Sequence, residues 1–395
     1  MMSDKDRWLL PEGIEEILPA EALRLEAMRR RLLDLFFGCG YELVMPPMIE
    51  YLESLLTGTG RDLDLQTFKL TDQLSGRMMG VRADMTPQAA RIDAHFLKRE
   101  VPVRLCYVGT VLHTRPDEFA GSRELLQVGA ELFGHPGPES DIEIIGLMLT
   151  ALQSVGLEQV HMDLGHVGVF RELASAARLS AELESDLFDA LQRKSAPEIV
   201  SLLGQSDITA EMRSNLVALV ELNGGEEVFA QARAQFGGAP AAVRQALDTL
   251  QVVADATRVA HPALPLYFDL AELRGYQYYT GVVFSAFVPG QGHAVAQGGR
   301  YDGIGRAFGR ARSATGFSAD LRLLLKLASN AGSAVAPGIL APYGQAAALQ
   351  ERIRALRAAG ERVVVCLPGT NTRAADVGCN RELVERNGAW TVVKV

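Results

Sequence analysis

Gln127, Gly129 and Glu131 carry the clearest chemical signal in the chain. They lie in the run 126–133 (LQVGAELF), which Arg123 precedes and Gly134 follows. Read as a strand, the run turns Leu126, Val128, Ala130 and Leu132 to one face and Gln127, Gly129, Glu131 and Phe133 to the other. An amide and a carboxylate then share a face with only a hydrogen atom between them, and Gly129 leaves room for a ligand against the backbone. A solvated sheet face explains the same alternation equally well.

Two further segments place polar groups close together. In 81–87 (VRADMTP), strand alternation puts Arg82, Asp84 and Thr86 on one face. A carboxylate beside a hydroxyl suits an ammonium ligand, because both accept hydrogen bonds and one is charged. Taken alone, the segment reads more simply as a turn before a helix near Pro87, capped by Asp84 or Thr86. The run 273–284 (LRGYQYYTGVVF) holds Arg274 and three tyrosines around Gly275 and Gly281. Arg274 could reach a ligand carboxylate, and buried tyrosines leave a hydroxyl for one partner. Sheet packing with snorkelling side chains is the plainer alternative. The glycine runs GGRYD (298–302) and GIGRAFG (303–309) match neither a phosphate-binding loop nor a dinucleotide fingerprint. No His-Glu-x-x-His pair and no Gly-x-Ser-x-Gly elbow occurs, so neither a metal nor a cofactor is expected.

The elements that must position these residues follow from periodicity. Residues 20–38 predict an amphipathic helix stopped by Gly38. A strand interrupted by Pro46-Pro47 follows, then a hairpin over 66–81 turning at Ser75-Gly76. The spacing predicts a helix over 87–100 and two strands within 103–134, joined by a polar segment. From about 138 to 260 the texture is helical, with stretches at 139–155, 168–193 and 209–256. Strands return at 266–270, 278–287 and 293–297, and 317–329 reads as a helix. Strands, then helices, then strands predict an antiparallel sheet with a helical insertion rather than βαβ repeats. After a linker at 330–340, the tail reads as helix 344–359, strand 361–366, helix 373–387 and strand 390–395, an appendage near the lower limit for an independent core.

Bulk properties narrow the function. The 395 residues, 48% hydrophobic, are long enough for roughly two domains. A net charge of −9, from 39 basic and 48 acidic residues, argues against a broad nucleic-acid footprint. The four cysteines (39, 106, 366, 379) lack Cys-x-x-Cys spacing and read as reduced thiols. Neither a secretory leader nor a membrane span is expected, so the expected compartment is the cytoplasm.

Five motifs in order resemble histidyl-tRNA synthetase: RADMTP (82–87), the region 107–134, LRGYQYYTG (273–281), GGRYD (298–302) and GFSADLR (316–322). LLPEGIEEILP and GYELVMPP also match that family's opening and its dimer-forming first motif. The resemblance spans about residues 8 to 328 and implies an α+β class II aminoacyl-tRNA synthetase-like fold. That fold is an antiparallel sheet flanked by helices, with a helical insertion at about 168–260 inside a domain 1–329. The short α/β tail, 338–395, would be reduced from or replace an anticodon-binding domain. The resemblance implies a histidine pocket in which Asp84, Thr86 and Gln127 hold the ammonium. In it Glu131 and Tyr279 read the imidazole, Arg274 meets the carboxylate and Tyr278 lines the wall. Asp84 stands where that family has a glutamate, one methylene longer.

The chain departs from the synthetases at the nucleotide. The second motif's arginine and following glutamate are replaced by His113 and Arg115. Ala120, Gly121, Ser122 and Arg123 stand for Gly-Arg-Tyr-Arg, and Arg322-Leu323 stands for the third motif's Glu-Arg. Asp320 stands at a usual glycine. Removing one charged stabiliser of developing phosphoryl charge costs on the order of a hundred- to a thousandfold. A retained amino-acid pocket with a dismantled nucleotide site resembles the regulatory subunits of hetero-oligomeric ATP phosphoribosyltransferase, as does the tail GERVVVCLPG. This resemblance implies a non-catalytic chain that binds free histidine, pairs as a homodimer within a larger hetero-oligomer, and activates a short-form catalytic subunit. It further implies feedback inhibition by histidine in the first step of its biosynthesis, and no tRNA or membrane partner. A divergent, active histidyl-tRNA synthetase is the alternative.

Overall fold

The computed structural model describes residues 8–58, 61–116, 121–204, 206–273, 275–276, 278–328 and 337–395. It divides into two compact units, Met1–Ala331 and Gly332–Val395.

The first unit is built on a nine-stranded sheet. Six strands run antiparallel to their neighbours, in the order Val103–Leu112, Glu124–Phe133, Ala314–Asp320, Ala296–Arg300, Val282–Phe287 and His161–His166. Glu42–Leu43 joins one edge in parallel. At the other edge Leu266–Asp269 lies parallel to His161–His166, and Asn223–Gly224 closes the order. The hairpin of Phe68–Thr71 and Met78–Val81, extended by Ile49–Tyr51, forms a separate three-stranded sheet.

Helix Pro19–Gly38 begins with proline at its first turn and buries Leu25, Met28, Leu32 and Phe36, one stripe at three- and four-residue spacing. Each such side chain contributes roughly 1.5–3 kcal/mol on burial. Helices Pro138–Ser154 and Leu321–Leu327 share its core with Val128, Ala130 and Leu132, the apolar face of the strand Glu124–Phe133. The opposite face of that strand contributes Phe133 to a second cluster with Tyr107, Met85 and Tyr301. The alternation in 126–133 therefore separates two packed interiors, and neither face is solvated. Six helices from Gly168–Ala176 to Ala241–Ala260 make up the insertion. Ser180 and Thr209 cap two of them, their hydroxyls accepting from Leu183 N and Met212 N at 3.2 Å.

Four readings need correction. Residues 161–166 form a sheet strand just ahead of the insertion. The helix expected from 317 is a strand, Ala314–Asp320, with the helix beginning at Leu321. Asp320 Oδ1 accepts from Arg322 N at 3.1 Å and starts that helix as its cap. In the tail, Gly338–Ala341 is a strand that had no sequence signal. The helix expected at 373–387 is a 3₁₀ turn, Ala374–Val377, followed by strand Cys379–Arg386. Buried Cys379 and Leu383, four apart, imitate a helical stripe. The decisive feature is Asn387-Gly388, both at positive φ, which folds the strand back onto Ala389–Lys394 as a tight hairpin. The second unit is thus a four-stranded mixed sheet, with helix Ala347–Ala358 packed on one face.

Arg300, from the GGRYD run, ties the main sheet to helix Pro138–Ser154. Its guanidinium donates to Asp141 Oδ2 at 3.0 and 3.1 Å, to Ser140 Oγ at 2.7 Å and to the Gly137 carbonyl at 2.9 Å. Both partners are buried, and without Asp141 the Arg300 charge keeps only Asp302, at 3.4 Å, as a carboxylate partner. Asp141→Ala is expected to destabilise the chain by about 3–5 kcal/mol. The measurement is urea unfolding, and the expected sign is a lower midpoint at unchanged slope.

Candidate functional site

Glu131 sits mid-strand in a row running Leu105, Glu131, Gly316, Gly299 and Val283 across the sheet. Two of its neighbours in that row are glycines, and the reason is space. A Cβ on Gly316 would stand 1.6 Å from the Glu131 carboxylate, and one on Gly299 would stand 2.9 Å from the Tyr279 ring. On Gly129 it would meet the Tyr107 hydroxyl at 2.6 Å. The sheet floor is bare so that long polar side chains can lie over it.

A continuous hydrogen-bond chain crosses this floor. Tyr107 donates its hydroxyl to Glu131 Oε1 at 2.8 Å, and Tyr301 donates to Oε2. Tyr107 Oη also lies 3.0 Å from Thr86 Oγ1. Thr86 N donates to Asp84 Oδ1 at 3.1 Å, and Gln127 Nε2 donates to the same oxygen at 2.7 Å. Gln127 Oε1 accepts from Met85 N at 2.9 Å, locking the turn that presents Asp84. The Tyr278 ring stacks on Tyr301 with centroids 4.9 Å apart and meets Tyr279 edge-on at 5.2 Å. The Tyr278 hydroxyl is buried with no hydrogen-bond partner among the described residues.

Six of the seven residues expected at the site therefore converge: Asp84, Thr86, Gln127, Glu131, Tyr278 and Tyr279. Arg274 lies outside the described residues. Strand alternation fails for 82–86, because the helix starts at Thr86 and Asp84 braces it. Arg82 turns away to the carbonyls of Thr110 and Pro46, at 2.8 and 2.7 Å, and helps fix the strand edge. Sequence reasoning gave no role to Tyr107 or Tyr301, the two groups that hold Glu131. Tyr107 pairs with Gly129 across the strands, a signal that needs the register to be known.

Only 1% of Glu131 is exposed, and burial pushes its carboxyl up to about 8. The two tyrosine hydroxyls pull it down and the Asp84 charge adds to the rise. The same burial raises the hydroxyls of Tyr107, Tyr278, Tyr279 and Tyr301, keeping them protonated donors. The cluster brings together a carboxyl suited to a ring N–H, a carboxylate and hydroxyl suited to an ammonium, and aromatic rings suited to a planar group.

The positions that handle nucleotide in synthetases are engaged otherwise. His113 Nε2 lies 2.9 Å from the Ala83 carbonyl. Arg123 donates to the His113 carbonyl at 3.2 Å and lies over the Phe68 ring at 4.9 Å. Arg322 forms an ion pair with Glu124 at 2.9 Å, and Leu323 packs on the main core. Arg115 is exposed, while Ala120 lies outside the described residues.

The histidyl-tRNA synthetase family model matches residues 13–324, and that of the ATP phosphoribosyltransferase subunit HisZ C-terminal domain matches 336–393. Among solved structures, an ATP phosphoribosyltransferase regulatory subunit/histidyl-tRNA synthetase from Bacillus halodurans superposes with a TM-score of 0.81 at 28% identity, covering 93% of this chain and 95% of that one. Histidyl-tRNA synthetase from Nostoc sp. PCC 7120 superposes at 0.75 with 18% identity over 98% and 97%, a likeness of fold. The first unit is thus a class II synthetase fold of the histidyl type. Curated relatives are closer in sequence. The ATP phosphoribosyltransferase regulatory subunits of Thioalkalivibrio sulfidiphilus and Pseudomonas aeruginosa are 58% and 56% identical over 392 residues, each covering 99% of both chains. The chain belongs to the family of ATP phosphoribosyltransferase regulatory subunits.

Glu131 has a consequence for stability. Its native pKa of about 8 lies above the ordinary 4.5, so the native state binds the extra proton between those values. The contribution is present below pH 4.5 and is lost as pH rises through 8. Glu131→Gln cannot titrate, so its stability relative to the unaltered chain is expected to rise from pH 5 to pH 8. Paired urea midpoints at the two pH values measure the difference, and a constant gap would refute it.

Proposed function

We propose that the chain is the regulatory, non-catalytic subunit of a hetero-oligomeric ATP phosphoribosyltransferase. In this reading it activates a short-form catalytic subunit in the first step of histidine biosynthesis and carries feedback inhibition by free L-histidine. The observation that carries the reading is the coexistence of an intact polar cradle around Glu131 with the Arg322–Glu124 ion pair in the third-motif region. The first suits the amino acid; the second spends a cation on the protein's own carboxylate.

The imidazole lies between Glu131 and Tyr279, with Tyr278 along the wall. Asp84, Thr86 and Gln127 receive the ammonium and Arg274 the carboxylate. A ring N–H donated to Glu131 adds a third donor to the hydroxyls of Tyr107 and Tyr301, which offset only part of its burial. A side chain without that N–H leaves buried polar groups unpaired, which gives strong discrimination. The tail, 338–395, takes the place of an anticodon-binding domain in this scheme. The chain pairs as a homodimer through its first motif, supported by a cluster of exposed apolar side chains there: Phe37, Leu43, Met45, Met48 and Ile49.

Mixing the chain with a short-form phosphoribosyltransferase is expected to raise its activity, and adding histidine to lower it. No response to either addition would refute the reading. Glu131→Ala is expected to abolish histidine binding in calorimetry while circular dichroism stays unchanged. ATP–pyrophosphate exchange with histidine is expected to stay at background, whereas robust exchange would point instead to an active synthetase.

A further inference from the structure

The loop 273–280, which brings Tyr278 and Tyr279 to the pocket, is held from the helical insertion. Arg171, on helix Gly168–Ala176, donates Nη2 to the Tyr276 carbonyl at 2.7 Å and to the Tyr279 carbonyl at 2.8 Å. One guanidinium nitrogen thus spans both ends of the segment that contains Tyr278. Tyr276, from the same loop, faces the insertion instead of the pocket. Its ring lies 5.3 Å from Phe170 and 5.6 Å from Phe188, its face meets Arg171 at 4.9 Å, and its hydroxyl donates to Glu184 Oε1 at 2.5 Å. Phe170 and Arg171 belong to Gly168–Ala176, and Glu184 and Phe188 to Ala181–Gln192.

The loop is also tight. Tyr278 N and Tyr279 N both donate to the Gly275 carbonyl, at 2.7 and 2.8 Å, and Gly275 has φ +66°. A Cβ there would press on the Tyr279 ring at 2.8 Å. So compact a turn cannot shift Tyr278 or Tyr279 without dragging the Tyr276 carbonyl and ring against Arg171 and Glu184. Packed contacts with discrete arrangements transmit such a shift.

We propose that Arg171 and Glu184 are positioning residues that couple the ligand loop to the insertion, so that helices Gly168–Ala176 and Ala181–Gln192 register whether the pocket is occupied. The coupling rests on the histidine reading above; the positioning does not. It also assigns the insertion the role of output surface, since these two helices contact the loop and lie outside the sheet.

Amide hydrogen exchange on the full chain tests both parts. Without ligand, Arg171→Gln is expected to speed exchange across 275–281 about tenfold with little change in thermal midpoint, and Arg171→Lys to recover part of the protection. With saturating L-histidine, the unaltered chain is expected to gain protection in 168–192 as well as in 275–281. Glu184→Gln and Tyr276→Phe are expected to confine that gain to 275–281. Unchanged loop exchange in Arg171→Gln overturns the proposal, as does histidine protection that never reaches 168–192. Should Arg171→Gln fail to fold, Glu184→Gln and Tyr276→Phe decide. If histidine gives no heat and no exchange response anywhere, the pocket reading fails and takes the coupling with it, while the ligand-free comparison still decides the positioning.

Discussion

A carboxylate buried in the middle of a sheet is the constraint around which this domain is organised. Left alone, Glu131 would carry a desolvation cost of several kcal/mol. The surrounding sequence is arranged to meet it. Tyr107 and Tyr301 come from different strands to donate to its two oxygens, and Gly316 opposite surrenders its side chain to make room. Even so, its carboxyl remains held near 8, so the donors offset only part of the burial. That residual penalty is useful in a binding site. A ligand that brings one more N–H adds a third donor to the two tyrosines, and the gain is specific to a ligand that has one.

What the sequence makes legible follows from how local each signal is. The face holding Gln127 and Glu131 was readable because strand alternation needs only the run itself, and the core partition of Val128 and Ala130 against Phe133 agrees with it. The hydrogen bonds that hold Glu131 were not readable, because its donors lie 24 and 170 residues away and meet it only once strands pair. The strand Ala314–Asp320 was misread for a related reason. Ala314, Gly316, Ser318 and Ala319 carry little β signal, and Gly316 has no side chain because Glu131 fills that space. The site has shaped the strand at the expense of its propensity. In the tail the error was different: apolar positions four apart suggested a helix, and the Asn387-Gly388 turn that settles the matter was passed over.

The resemblance to histidyl-tRNA synthetase implies seven ligand contacts, and the structure brings six of those side chains together. In the region that the resemblance assigns to nucleotide, the carboxylates have partners of their own. Losing a cation that faced phosphate would leave carboxylates nearby unpaired. Here Glu124 has Arg322, and Asp320 spends its lone pairs on the backbone amides of Leu126 and Arg322. Leu323, standing where the third motif carries arginine, joins the apolar core. The carboxylates of Glu124 and Asp320 thus both have internal partners, as burial demands of them.

The loop that carries Tyr278 and Tyr279 beside Glu131 is also packed against the insertion. Tyr276 is anchored between Phe170 and Phe188, while Tyr278 and Tyr279, two and three residues on, line the pocket. A ligand that favours one setting of Tyr279 over another therefore favours one setting of Tyr276, whatever the size of the movement. The free energy available for a signal is the difference in ligand affinity between the two settings, and no more.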